Sequence, residues 1–80
     1  MIPGDLLRAR SVFRVGLVRI YEDDQCESWQ TYMSKWDVVV LLEEFQNRWD
    51  EGVCKVLFPR GIRWVYKMDV EVMQSSESKR

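Results

Sequence analysis

The sequence predicts a small, single-domain, mostly β protein, and three observations predict it. Val53-Cys54-Lys55-Val56-Leu57-Phe58, then Pro59-Arg60-Gly61, then Ile62-Arg63-Trp64-Val65-Tyr66-Lys67 is the pattern of a hairpin: two alternating runs around a Pro/Gly turn. Shorter alternating runs stand near both ends, at Leu6–Arg10, Leu17–Tyr21 and Val70–Met73. Finally, 80 residues with 46% hydrophobic side chains and ten aromatics, four of them Trp, are enough for one thin core and too few for two.

In chain order, Gly4-Asp5 reads as a turn into a strand over 4–10. Leu7 and Ala9 share one face, and Leu6, Arg8 and Arg10 the other. A loop is expected over 11–15. Gly16 then opens a second strand, 16–21, in which Val18 and Ile20 alternate with Leu17, Arg19 and Tyr21. The acidic run Glu22-Asp23-Asp24 ends it by charge and low β-propensity. Strands at 53–58 and 62–67 form the hairpin. Ile62, Trp64 and Tyr66 are expected to face inward, with Arg63, Val65 and Lys67 outward. Met68-Asp69 reads as a short turn, one turn of 3₁₀ helix, before a last strand at 70–73. The polar tail 74–80 is expected to fray.

The middle supports two readings. Ser34-Lys35-Trp36-Asp37 resembles a helix-capping box, with Asp in the place of Glu. Val38, Leu41, Leu42, Phe45 and Trp49 follow at helical spacing, and Gly52 stands where a helix would stop, which gives a helix over 35–50. The triplet Val38-Val39-Val40 favours instead an extra strand over 37–43, closing a long hairpin, because β-branched side chains are stiff in helices.

Charge is distributed unevenly. The net charge is −1, yet residues 21–51 hold nine acids against Lys35 and Arg48, between basic segments at 1–20 and 52–68. The chain has no His, which removes the commonest general base and the usual Cys/His zinc sets. Cys26 and Cys54 are widely spaced and are expected as free thiols. The carboxylates Glu22-Asp23-Asp24 and Glu43-Glu44 read as a solvated acidic face. The four glycines are scattered singly, so they make no phosphate-cradling loop, and no serine stands beside a base. No catalytic, metal or cofactor site is expected, and the chain reads as no enzyme. No apolar run approaches the ~20 residues of a membrane span, and the start lacks the apolar stretch of a signal peptide.

Both ends together carry a resemblance. Gly4-Asp5-Leu6-Leu7-Arg8-Ala9-Arg10, Gly16-Leu17-Val18, Val56-Leu57-Phe58-Pro59-Arg60-Gly61-Ile62-Arg63-Trp64-Val65-Tyr66 and Asp69-Val70-Glu71-Val72 resemble the small SH3-like barrel proteins encoded by tailed bacteriophages. The resemblance covers residues 4–21 and 53–73 and departs over the long acidic stretch 22–51. It implies a five-stranded SH3-like barrel over 1–73, with that stretch inserted on its surface between the second and third strands, as a helix or an extra hairpin.

It also implies a protein–protein interaction or structural module associated with a larger assembly, in the host cytoplasm or on the virion. A homo-oligomer fits the opposed charge segments. Two alternatives stand beside it: a nucleic-acid-binding barrel, and a regulator that holds a host protein through its acidic insertion. The candidate partner-binding residues are Trp36 and Trp49, for large rings dominate interface energetics. Glu43 and Glu44 join them from the insertion, and Arg60, Arg63 and Lys67 from the hairpin. For nucleic acid, Arg8, Arg10 and Arg19 would have to gather with the last three on one outer surface.

Overall fold

Gly4, at φ 97°, and the carboxylate of Asp5, which accepts the Ile2 N–H at 2.9 Å, turn the chain into its first strand. The computed structural model describes residues 1–10, 17–34 and 36–75. Its strands are β1 (Leu6–Ala9), β2 (Leu17–Tyr21), β3 (Trp29–Ser34), β4 (Val38–Gln46), β5 (Gly52–Phe58), β6 (Gly61–Tyr66) and β7 (Val70–Gln74), with a 3₁₀ turn at Lys67–Asp69. All seven lie in one antiparallel sheet, ordered β3-β2-β6-β5-β4-β1-β7 and curled into a half-barrel.

Every strand supplies the main core: Leu7 and Ala9, Val18 and Ile20, Met33, Val39 and Leu41, Cys54 and Val56, Val65, and Val70. These are small and medium aliphatic groups, sized for the narrow inside of a curled sheet. A second, smaller cluster joins Tyr21, Cys26 and Val53 with Trp29, Phe45, Trp64 and Tyr66. Tyr21 follows inward-facing Ile20, Val53 precedes inward-facing Cys54, and Trp64 and Tyr66 flank inward-facing Val65. Strand alternation therefore places this cluster on the outer face of the sheet, beneath the segment 22–28.

Several expectations need correction. Among the described residues 36–50 there is no helix; the other reading, a strand, is the one that forms, and it runs over Val38–Gln46. The β-branched triplet pairs with Leu6–Arg8 of β1, and its last residue, Val40, also pairs with Leu57 of β5. The supposed capping residues make a tight turn, in which Asp37 accepts the Ser34 N–H at 2.8 Å and Ser34 Oγ accepts the Trp36 N–H at 3.2 Å. The stretch 22–51 is no surface insertion either. It supplies the edge strand β3 and places β4 between β5 and β1 within the sheet. The strand count is seven, not five.

The hairpin forms as expected, with Gly61 at φ 131° in its turn. Its faces are reversed: Val65 is buried in the main core, Trp64 and Tyr66 pack in the outer cluster, and Ile62 is exposed. Alternation says which residues share a face, not which face turns inward. Here volume decides, because valine fits the curled inside and the rings do not. The expected loop 11–15, the Gly16 strand start, Lys35 of the capping box and the tail beyond Ser75 lie outside the described residues.

Candidate interaction surface

Two loops meet at one end of the half-barrel. The first, 22–28, is shaped by Asp23, whose carboxylate accepts the N–H groups of Glu27 and Ser28, both at 2.9 Å. Those backbone donors, Ser28 foremost, hold the Asp23 carboxyl below the usual carboxylate range. The second loop, 47–51, is organised by Asn47. Its Oδ1 accepts the N–H groups of Trp49 and Glu51, both at 3.0 Å, and its Nδ2 donates to Glu51 Oε1 and to the Gln25 carbonyl. Gln25 Oε1 in turn accepts from the Arg48 backbone at 2.8 Å. The loops are thus stitched to each other. Asp50 turns the second one at φ 63°, a conformation that Asp tolerates better than most residues.

Trp49 stands at the tip of this second loop, 60% exposed, with the Arg48 guanidinium 5.7 Å from its ring centre. Beside it opens a cavity of about 760 Å³ lined by Met1, Arg10, Asp50, Glu51, Gly52, Tyr66, Lys67, Met68 and Val70. Met68, on the 3₁₀ turn, is 71% exposed. Tyr66 packs edge-on against Tyr21 at 5.4 Å, and burial, then the neighbouring Cys26 and Glu51, pushes its phenol up to about 12. Burial raises the Asp69 carboxyl next to this cavity, with Arg10 partly offsetting it. Asp50 and Glu51 of the second loop line the cavity together with Arg10 and Lys67. The first loop carries three further acids, Asp23, Asp24 and Glu27.

Of the residues singled out from sequence, Lys67 lines this cavity, and Trp49 stands on the loop whose Asp50 and Glu51 line it. Lys67 pairs with Glu44 at 2.5 Å, and that hydrogen bond raises the ammonium pKa. Glu43 stands opposite Lys55 between β4 and β5. Trp36, 80% exposed, belongs to the separate β3–β4 turn. Arg60 and Arg63 line another cavity, of about 550 Å³, together with Glu22 and Asp37, and Arg63 Nη1 donates to the Ile62 carbonyl at 2.7 Å. Arg8 pairs with Glu71 at 2.7 Å, and Arg19 lies 4.6 Å above the Trp29 ring. The basic residues are therefore distributed among different partners rather than gathered.

Asn47, Tyr66 and Met68 were not expected at the site. Asn-Arg-Trp-Asp does carry a turn signal, since an Asn side chain can bond the backbone two residues on, but the helical spacing of the apolar residues masks it. Cys26 and Cys54 are free and buried, their thiols pushed by burial up to about 12 and about 11, and they lie in the outer and the main cluster respectively. No family model, no curated protein and no solved structure matches the chain.

Proposed function

We propose that the chain is a non-catalytic protein-interaction module built on an SH3-like barrel, of the kind that tailed phages encode to join or decorate a larger assembly. Strand order supports the fold part of this reading. Without β2 and β3, the sheet runs β7-β1-β4-β5-β6, a meander with a 3₁₀ turn before its last strand in sequence, as in SH3-like barrels. On this reading β2 and β3 are a long hairpin between the first and second barrel strands. The phage origin is supported by the residues of 4–10 and 56–72 quoted above.

The observation that carries the function is the exposed pair Trp49 and Met68 beside a cavity with apolar walls. A lone domain gains nothing by leaving a Trp at a rigidly tied loop tip, whereas a partner gains a large contact at low entropic cost. Acids on both loops favour an extended segment carrying Lys or Arg beside apolar residues. A component of the assembly and a host protein would use the same rim. The nucleic-acid reading has weaker support, because Lys67 and Arg8 are held in ion pairs.

Fluorescence titration of the protein with ten-residue peptides, one series basic and apolar and one acidic and apolar, tests this. The basic series should bind, and Trp49→Ala should weaken it at least tenfold, a ΔΔG of about 1.4 kcal/mol. Equal binding by Trp49→Ala, or binding by neither series at millimolar peptide, overturns the reading.

A further inference from the structure

We infer that the outer face of the sheet is the contact between two copies of this chain, a surface separate from the Trp49 rim and independent of its function. Registers place four aliphatic side chains in one row across four neighbouring strands. Leu6 of β1 stands opposite Val40 of β4, Val40 opposite Leu57 of β5, and Leu57 opposite Ile62 of β6. Leu6, Val40 and Leu57 point away from the main core, because their chain neighbours Leu7, Val39, Leu41 and Val56 point into it, and Ile62 shares the face of Leu57, its partner in register. Val38, two residues before Val40, lies on the same face. Val38, Leu57 and Ile62 are 43%, 44% and 41% exposed.

An antiparallel sheet with one solvated face reads as alternating apolar and polar residues, while a strand covered on both faces reads as a continuous apolar run. Val38-Val39-Val40-Leu41-Leu42 is such a run, and within the monomer only one of its faces is covered. The exposed Val38, Leu57 and Ile62 with half-buried Leu6 and Val40 make one contiguous apolar patch, of the kind that forms the centre of an interface burying about 800 Å² per partner.

Charge points to a second copy rather than to a partner of opposite sign. Arg8 is paired with Glu71 on one flank of the row, and Lys55 stands opposite Glu43 on the other, so the charges flanking the row balance. A face of this kind does not repel itself. A two-fold axis along the row sets each of the four residues against its own counterpart, with the two sheets packed face to face.

Sedimentation equilibrium from micromolar to millimolar protein, at about 0.1 M and about 1 M salt, tests this. A concentration-dependent dimer that persists at the higher salt is expected. Ile62→Asp should weaken it at least tenfold, and the milder Ile62→Thr, which keeps the β-branch, severalfold, while both remain folded by circular dichroism. Val72→Pro, on the open edge of β7, should leave the dimer intact. A monomer at every concentration overturns the inference. So does a dimer lost at 1 M salt, a dimer indifferent to both Ile62 variants while they stay folded, or one abolished by Val72→Pro, which would mark pairing through the sheet edge.

Discussion

Leu7 and Trp36 stand at opposite ends of the scale on which side chains matter to this domain. Leu7 is fully buried between β4 and β7, and Leu7→Ala is expected to cost about 2–5 kcal/mol. A domain of this size holds about 3–5 kcal/mol in all, so that variant should be largely unfolded at 25 °C. Trp36→Ala, at an exposed turn, should stay within about 0.5 kcal/mol of wild type. Urea titration followed by circular dichroism reads both. Alternation puts Leu7 with Ala9 on the face opposite Arg8 and Arg10, and that contrast makes its burial legible. The exposure of Trp36 was not legible, because a helix cap and a β-turn share the same residues.

The two perturbed aspartates act with opposite sign. Asp23 has a depressed carboxyl, so its contribution is present above the ordinary Asp range and is lost as pH falls through the folded value. Asp69 has a raised one, so the fold is favoured when it is protonated and loses that advantage as pH rises through the folded value. Asp69→Asn should therefore raise the melting temperature at pH 7 and bring no gain at pH 3. Thermal melts at the two pH values check this.

Among the elements, the loop 47–51 depends on a single side chain. Asn47 is buried and its side chain makes four hydrogen bonds, two of them from backbone N–H groups of its own loop and one to the Gln25 carbonyl across from it. Asn47→Ala leaves those groups without their partner and is expected to cost about 1–3 kcal/mol. It should also free the Trp49 ring, which a rise in the acrylamide quenching of that tryptophan would report in a background where the other three are replaced by Phe.

Strand β4 was half legible. Its β-branched start favoured a strand, but its apolar spacing fits a helix equally well, and only partners on both sides decide the matter. Strand β3 was not legible at all. Trp29-Gln30-Thr31-Tyr32-Met33-Ser34 sits between an acidic run and a capping-box look-alike, and as an edge strand it buries only Met33 in the main core. The 53–67 hairpin was fully legible because its turn chemistry is local. Which of its faces turns inward was not, since that depends on the curvature of the whole sheet.

Over the whole molecule, charge segregation in the sequence did not become charge segregation in space. The acidic middle is threaded through the sheet, so Glu44 meets Lys67 and Glu27 lies near Arg48, and the basic end strands are met by acids such as Glu71. The core follows the opposite rule: seven strands drawn from all parts of the chain each give at least one side chain to it. That makes most of its contacts long-range. The alternation of the terminal strands announced the core in advance; the spatial mixing of charge had no local signal.

The hairpin β2–β3 is zipped along its own length but joins the remaining five strands through one ladder position, Tyr21 opposite Trp64. A seam one stitch wide should open before the fabric on either side of it. Amide deuterium uptake ought to be faster across 17–34 than across 38–58, and Trp64→Ala should widen that gap; uniform protection over both stretches would mean that the aromatic packing around Tyr21 welds the seam shut.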